Sequence, residues 1–405
     1  MNMKNLREDF PALKQELKGK KPIYFDSACM ALKPRQVIDA VVEYYEKYPG
    51  CGARGVHMFG QKVTQKHDEC RQTVAKHFGV KEKEIVFSKN TTESLNLVYN
   101  SLDLKKGDVI ITTDKEHNSN LLPAQMLAER KGIVHKVVKS KEDNTFDLES
   151  FEHMMSENKK DVRLVSVVHT SNLDGVTNPA KEIIKIAHDH GALVMLDGAQ
   201  SAPHKPINLK KLDVDFFACS GHKMLGPTGT GILYGKEKLL EKLQPFIVGG
   251  ETVEKTTLDS HVFLKPPEKF EAGLQHYSGF CGLTEAIRYL DRVGMENIEK
   301  WDCELNKYAT ERLLQIPSFK LIGPQDPALR GGVISFNLGK MNFHDVALIL
   351  DQNANIMVRS GQHCVHSWFN SHNIIGSVRA SLYLYNTKEE IDVFVETLKK
   401  VQKLV

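Results

Sequence analysis

"AKEIIKIAHDHGALVMLDGAQSAPH" (180–204) decides the architecture. Its first half spaces Ile183, Ile184, Ile186 and Ala187 along one helical stripe, and Gly191 follows where a glycine commonly stops a helix. "ALVMLD" (192–197) comes directly after it and is apolar on both alternations up to Asp197. A strand without a polar face must be covered from two sides. "EIVFS" (84–88), "DVIITT" (108–113), "RLVSVVH" (163–169), "DFFACS" (215–220) and "GILYG" (231–235) read as further strands of the same kind. The alternation of such strands with helices predicts an α/β protein with a large, doubly wound, mostly parallel sheet. Ligands of these sheets sit at the carboxyl ends of the strands.

From about Leu290 the helices lengthen and the strands become sparser, as in "GGVISFNLG" (331–339). "TKEE" (387–390) has the pattern of a capping box, and positions 391, 394, 395, 398 and 401 fall on one face of the helix it opens. A smaller α+β domain is expected there. The expected division is 23–290 for the large domain, and 1–22 with 291–405 for the small one.

The bulk composition excludes several function classes. Fifty-four Lys and Arg against 51 Asp and Glu leave a net charge of +3, too small to argue for nucleic acid or an acidic membrane. No apolar run reaches the roughly 18 residues of a membrane span, and the charged N-terminus lacks a signal-peptide core. Seven cysteines without a C-x-x-C pair argue against a disulfide framework or structural zinc, and for a reducing cytoplasm. "QHCVH" (362–366) crowds His363, Cys364 and His366, but three ligands within four residues rarely face one ion, so no metal is expected.

"SGHKMLGPTGTG" (220–231) sets Lys223 beside glycines. In a phosphate-binding P-loop the lysine follows the glycines, whereas here it precedes them. The alternatives are a surface lysine or a Schiff-base lysine, and the surroundings must decide. Asp197 ends an apolar strand with Gln200 three residues on, so its carboxylate can pair with a protonated heterocycle nitrogen or simply cap a turn. Thr91 and Thr92 stand where a strand gives way to a helix, a ready phosphate site or an ordinary N-cap. His117 lies just past another strand, where an imidazole could stack on a flat cofactor or serve the structure alone.

Taken together, "FDSACMALKP", "NTTESLNLV", "EHNSNLLP", "SNLDGVTNP", "LDGAQSAPH", "DFFACSGHKMLGPTGTGILYG" and "FEAG" resemble the pyridoxal-phosphate enzymes of the class V aminotransferase group. The motifs span residues 24 to 386. "RGVH" (54–57), "RSGQHC" (359–364) and "RASLYLYNTKEEID" (379–392) are most similar to cysteine desulfurases of the SUF type. The resemblance implies fold type I and pyridoxal 5'-phosphate as cofactor. It implies that Lys223 joins the cofactor and shuttles the substrate α-proton, that Asp197 pairs with the pyridine nitrogen, and that Gln200 reaches the ring hydroxyl. His117 would stack on the ring and act in proton transfer, and Thr91, Thr92, Ser220 and His222 would hold the phosphate. Asn172 would touch both cofactor and substrate. Arg379 would clamp the substrate carboxylate, with Arg359 beside the nucleophile loop.

The implied activity is removal of sulfur from L-cysteine to give L-alanine and a persulfide on Cys364. A homodimer, and delivery of sulfur to an acceptor or scaffold protein for iron–sulfur cluster or thiocofactor assembly, are implied as well. A selenocysteine lyase acting on L-selenocysteine, or an aminotransferase, is the nearest alternative, and a non-catalytic assembly scaffold is the alternative of another class. Cys29 and Cys51 are expected to flank the mouth of the site and compete for the nucleophile's role. Cys364 is preferred because Arg359 and His363 beside it can favour a thiolate by charge or hydrogen bonding. Two departures stand out. Leu274 replaces the threonine expected to reach the neighbouring subunit's phosphate, and the loop "RSGQHCVHSW" carries Gln362, Val365, His366 and Trp368 at unusual places, which leaves its mobility open.

Overall fold

The computed structural model describes residues 3–53, 55–159 and 161–403, so Arg54 of "RGVH" lies outside the described residues. The large sheet contains β1 (Ile85–Ser88), β2 (Val109–Thr113), β3 (Val134–Val138), β4 (Val162–Val168), β5 (Leu193–Asp197), β6 (Phe216–Ser220) and β7 (Gly231–Gly235). Its order is β1-β7-β6-β5-β4-β2-β3. Neighbours from β6 to β3 run parallel, and β7 is antiparallel to both β1 and β6. The apolar "GILYG" is therefore the one strand that turns against the rest. The edge strand β3 was not anticipated. It is half exposed, and "VHKVV" has neither the all-apolar run nor a clean alternation that marks the central strands.

The prediction of a sheet covered on both faces is met strand by strand. Val165, Val167, Val194, Leu196 and Phe217 face one core, which includes Ile183, Ile184 and Ala187 of helix Ala180–Asp189. Leu164, Met195, Phe216 and Ala218 face the other, with Leu95 and Val98 of helix Thr91–Ser101 and Leu127 of helix Asn118–Lys131. Successive residues of each strand thus enter opposite cores, as the pleat requires. Gly191, at φ +77°, follows the helix that leads into β5.

A second, antiparallel sheet holds β8 (Phe319–Ile322), β9 (Val333–Leu338), β10 (Arg359–Gly361) and β11 (Ser377–Ser381), in the order β8-β9-β11-β10. Its core includes Ile334, Phe336, Val378 and Ala380, covered by Ile391, Phe394, Val395, Leu398 and Val401 of helix Lys388–Gln402. Thr387 opens that helix with a complete capping box to Glu390. Ile23 and Phe25 pack into this second core, whereas Leu6, Phe10 and Leu13 pack into the first.

Candidate active site

The twelve residues given catalytic, cofactor-binding or substrate-binding roles above all line one cavity of about 270 Å³. The carboxyl ends of the parallel strands supply most of them. Asp197 is the last residue of β5, Ser220 the last of β6, and Lys223 closes the short 3₁₀ turn Gly221–Lys223 that follows. His117 N-caps helix Asn118–Lys131 beyond β2, and Thr91 and Thr92 open the helix beyond β1. Gly198 is obligatory for this packing, because a Cβ there would lie 1.9 Å from the Phe217 ring.

Lys223 is half-buried in the cavity wall, and desolvation pushes its ammonium pKa down, partly offset by the nearby Asp197 carboxylate. Asp197 is buried and its pKa raised by desolvation, with the Ala199 N–H donating to Oδ1 at 2.9 Å. His117 is held neutral at a pKa of about 3, first by burial and then by Lys223 and Arg379. Its Nδ1 accepts from the Ser119 N–H at 3.1 Å, which leaves Nε2 to carry the ring proton.

At the opposite end of the cavity, hydroxyls gather at a helix N-terminus. Thr91 Oγ1 lies 2.6 Å from Ser220 Oγ, and Thr92 Oγ1 lies 2.7 Å from Ser119 Oγ. Backbone N–H groups and the positive end of the helix favour an anion at this place. His222, also in the wall, is held neutral at a pKa of about 4, chiefly by burial.

The third wall belongs to the second sheet. Arg359 on β10 is registered opposite Arg379 on β11, which sets the two guanidinium groups side by side. Asp26 joins them, 2.6 Å from Arg359 Nη2 and 3.6 Å from Arg379 Nη2. Arg379 is buried and also donates to the Asn172 carbonyl at 3.1 Å. Asp26, absent from the sequence-based site, lies within the quoted "FDSACMALKP", but its two arginine partners are over 300 residues away in the chain. Ser119 was missed too, because its hydroxyl reads as an ordinary helix-start residue.

Cys364 is exposed and occupies a turn in which both His363 (φ +49°) and Cys364 (φ +61°) are left-handed. The turn is tied to the large sheet's side of the cavity. The Asn118 N–H donates to the Cys364 carbonyl at 2.8 Å, and Asn172 Nδ2 donates to the His363 carbonyl at 2.7 Å. His366 Nδ1 lies 2.9 Å from Asn118 Nδ2. Of the unusual loop residues, His366 makes one of these ties. His363 cannot favour a thiolate by charge: burial holds it neutral at a pKa of about 2, and its Nε2 is engaged with Ser377 Oγ at 2.9 Å. Cys29 shares the cavity wall, whereas Cys51 does not. Leu274 is exposed beside Gly273, away from the cavity lining.

The donor set fits pyridoxal phosphate. Gln200 Oε1, Asn172 Oδ1 and Arg379 Nε are buried polar atoms in this lining without a protein partner, and such atoms call for a polar ligand. A hydroxyl-lined helix N-terminus, a carboxylate and lysine, and a guanidinium in one lining suit a phosphate, a pyridine ring and an amino-acid carboxylate.

Fold and pocket together define a pyridoxal-phosphate enzyme of fold type I. The family model for class-V aminotransferases matches residues 23–394, and the chain belongs to that family. A Synechocystis protein named probable cysteine desulfurase is 43% identical over 97% of this chain and 94% of its own length. The cysteine desulfurase of Escherichia coli (strain K12) is 40% identical over 99% of this chain and 98% of its own. Among solved structures, an apo cysteine desulfurase from Thermococcus onnurineus superposes with a TM-score of 0.93 at 41% identity, covering 99% of this chain and 98% of that one.

Proposed function

We propose that the protein takes the sulfur of L-cysteine onto Cys364 and releases L-alanine. It is a pyridoxal-phosphate-dependent cysteine desulfurase. The observation that carries the assignment of Cys364 is its placement. An exposed thiol on the small sheet's loop shares one cavity with Lys223, Asp197 and the buried Arg379 of other elements.

Bound pyridoxal phosphate supplies an electron sink that lowers the cost of removing the α-proton of L-cysteine. Lys223 is the residue to which the cofactor joins, and its lowered pKa lets Nζ act as a neutral base toward that proton. The Asp197 carboxylate would hold the pyridine nitrogen protonated. Gln200 is oriented by donating to the Ala28 carbonyl at 2.7 Å, which leaves Oε1 free to accept and would let it hold the ring hydroxyl. His117 would meet the ring as a neutral imidazole, and Thr91, Thr92, Ser220 and His222 would hold the phosphate. Arg379 and Asn172 hold the substrate carboxylate, and the Asp26–Arg359 pair sets the angle of Arg379. Cys364 Sγ then attacks the substrate sulfur. The new S–S bond forms as the substrate Cβ–S bond breaks, and the carbon fragment takes up one proton at Cβ and one at Cα, the latter replacing the proton given to Lys223, and departs as alanine.

The product chemistry requires a second thiol-bearing partner that removes the persulfide sulfur, and we assign that role to an acceptor or scaffold protein serving iron–sulfur cluster or thiocofactor assembly. We further propose a homodimer and a cytoplasmic setting, the latter supported by seven free cysteines. No helix among the described residues is long and apolar enough to cross a membrane. The domain division we propose remains 23–290 against 1–22 with 291–405.

The decisive experiment is Cys364→Ala in the pyridoxal-phosphate-loaded enzyme. L-cysteine should still change the cofactor's visible spectrum, alanine release should fall to background, and mass spectrometry of the wild type should find added sulfur on the Cys364 peptide. Full alanine release by the variant would overturn the assignment, and accumulation of pyridoxamine phosphate with a keto acid would indicate transamination instead.

A further inference from the structure

The cavity contains two thiols, and the reaction above uses one. Among the described residues Cys70, Cys219 and Cys281 are buried elsewhere, and Cys51 and Cys303 are exposed outside the lining, which leaves Cys29 beside Cys364. Cys29 is half-buried, and the turn that carries it is pinned from several directions. Its N–H donates to the Asp26 carbonyl at 3.0 Å, the Ala28 N–H donates to Ser381 Oγ at 2.9 Å, and Gln200 holds the Ala28 carbonyl. Asp26, three residues before it, is locked to Arg359. The thiol is therefore a fixed part of the wall. The Cys364 turn is fixed as well, through Asn118 and Asn172. Both thiols line the same cavity as Lys223 and Arg379.

We propose that Cys29 is a second sulfur-carrying residue, which takes the persulfide sulfur from Cys364 inside the cavity and frees Cys364 for another turnover. The proposal rests on the Cys364 reading given above. The Cys29 thiolate attacks the outer sulfur of the Cys364 persulfide. An S–S bond forms on Cys29 Sγ, the bond between the outer sulfur and Cys364 Sγ breaks, and its electron pair stays on Cys364 as thiolate. The proton given up by Cys29 passes to Cys364 or to water. One thiol and one persulfide become one persulfide and one thiol, so no oxidant or reductant is consumed. A thiol in the wall has an advantage over one arriving from solution, because its attack is intramolecular.

The test is a burst experiment on the cofactor-loaded, pre-reduced enzyme, mixed anaerobically with L-cysteine in the absence of any acceptor protein. Alanine is counted, and alkylated peptides are read by mass spectrometry at successive times. The wild type should release about two alanines per chain in the burst, one for each thiol that stores sulfur. The Cys364 peptide should gain sulfur first and the Cys29 peptide after it. Cys29→Ser should release about one alanine per chain, with sulfur on Cys364 alone. Cys364→Ser should leave Cys29 unmodified. A wild-type burst of a single alanine with Cys29 unmodified overturns the relay and leaves the Cys364 reading standing. A Cys29–Cys364 disulfide with free sulfide also overturns it, since attack would then be on the inner sulfur. Sulfur on Cys29 in Cys364→Ser, or none on Cys364 in the wild type, overturns the underlying reading. The order of labelling in the wild type decides the matter even if a variant does not fold.

Discussion

Lys223 shows how a residue's chemistry follows from its surroundings. Its ammonium is desolvated, and the carboxylate that compensates it belongs to a different strand, so neither sequence spacing nor composition could set its pKa. Among the described residues it is also the one lysine in the cavity lining. Lys223→Ala is therefore expected to abolish alanine release, and borohydride, which should fix the cofactor on Lys223 in the wild type, should fix none in the variant. Covalent attachment at another lysine would contradict the assignment. Arg379 is read in the same way. Its carboxylate-binding role depends on a buried guanidinium oriented by Asp26 and by the Asn172 carbonyl. Arg379→Ala should raise KM for L-cysteine by about ten- to a hundredfold, since a charged hydrogen-bonded contact of about 1.5–3 kcal/mol is lost. Steady-state kinetics with unchanged KM would place the carboxylate elsewhere.

At the scale of elements, local sequence and tertiary packing agree best where one signal serves both. Thr387 accepts from the Glu390 N–H, and the Glu390 carboxylate in turn accepts from the Thr387 N–H at 3.1 Å. Glu390 also pairs with Arg7 at 2.7 Å, so the box that starts the last helix ties it to the N-terminal segment. Thr387→Ala should lower the unfolding free energy by about 1 kcal/mol, the usual worth of an N-cap, measured by urea denaturation. Activity should persist, because the capped helix covers the face of the second sheet's core and not the cavity. Cys364's loop illustrates the opposite case. It is held by contacts from Asn118 and Asn172 to its backbone carbonyls, and of its anomalous residues His366 joins them.

For the molecule as a whole, the site exists only where two cores meet. The cofactor end is built on the large sheet and the thiol and guanidinium end on the small one, so their relative placement is an energetic property of the seam. Phe10 belongs to the first core, at the junction there between Tyr289 and Tyr385, the latter four residues beyond β11 of the second sheet. Phe10 is fully buried, with its ring centroid 4.8 Å from Tyr385 and 6.0 Å from Tyr289. Arg7 beside it donates to the Tyr385 carbonyl at 3.1 Å. Phe10→Ala should cost about 3–5 kcal/mol of stability by leaving a cavity at the junction. Urea melts that moved by less than about 1 kcal/mol would show that the site relaxes around the loss.

The amino-acid sequence by itself determined the layered α/β plan, because strands buried on both faces must be apolar throughout and the helices between them must carry a stripe. It also determined the candidate residues, since motif identity survives in the chain whatever their partners. It did not disclose the antiparallel turn of β7, whose residues are as apolar as those of its parallel neighbours, nor the half-exposed edge strand β3. It did not disclose Asp26 as the carboxylate between two arginines, the neutrality of His363, or that Cys51, unlike Cys29, stays outside the cavity lining. Those were decided by tertiary structure alone. A short apolar run has the same composition in either direction, and the pKa and partners of a polar group depend on burial and on charges that the fold brings from hundreds of residues away.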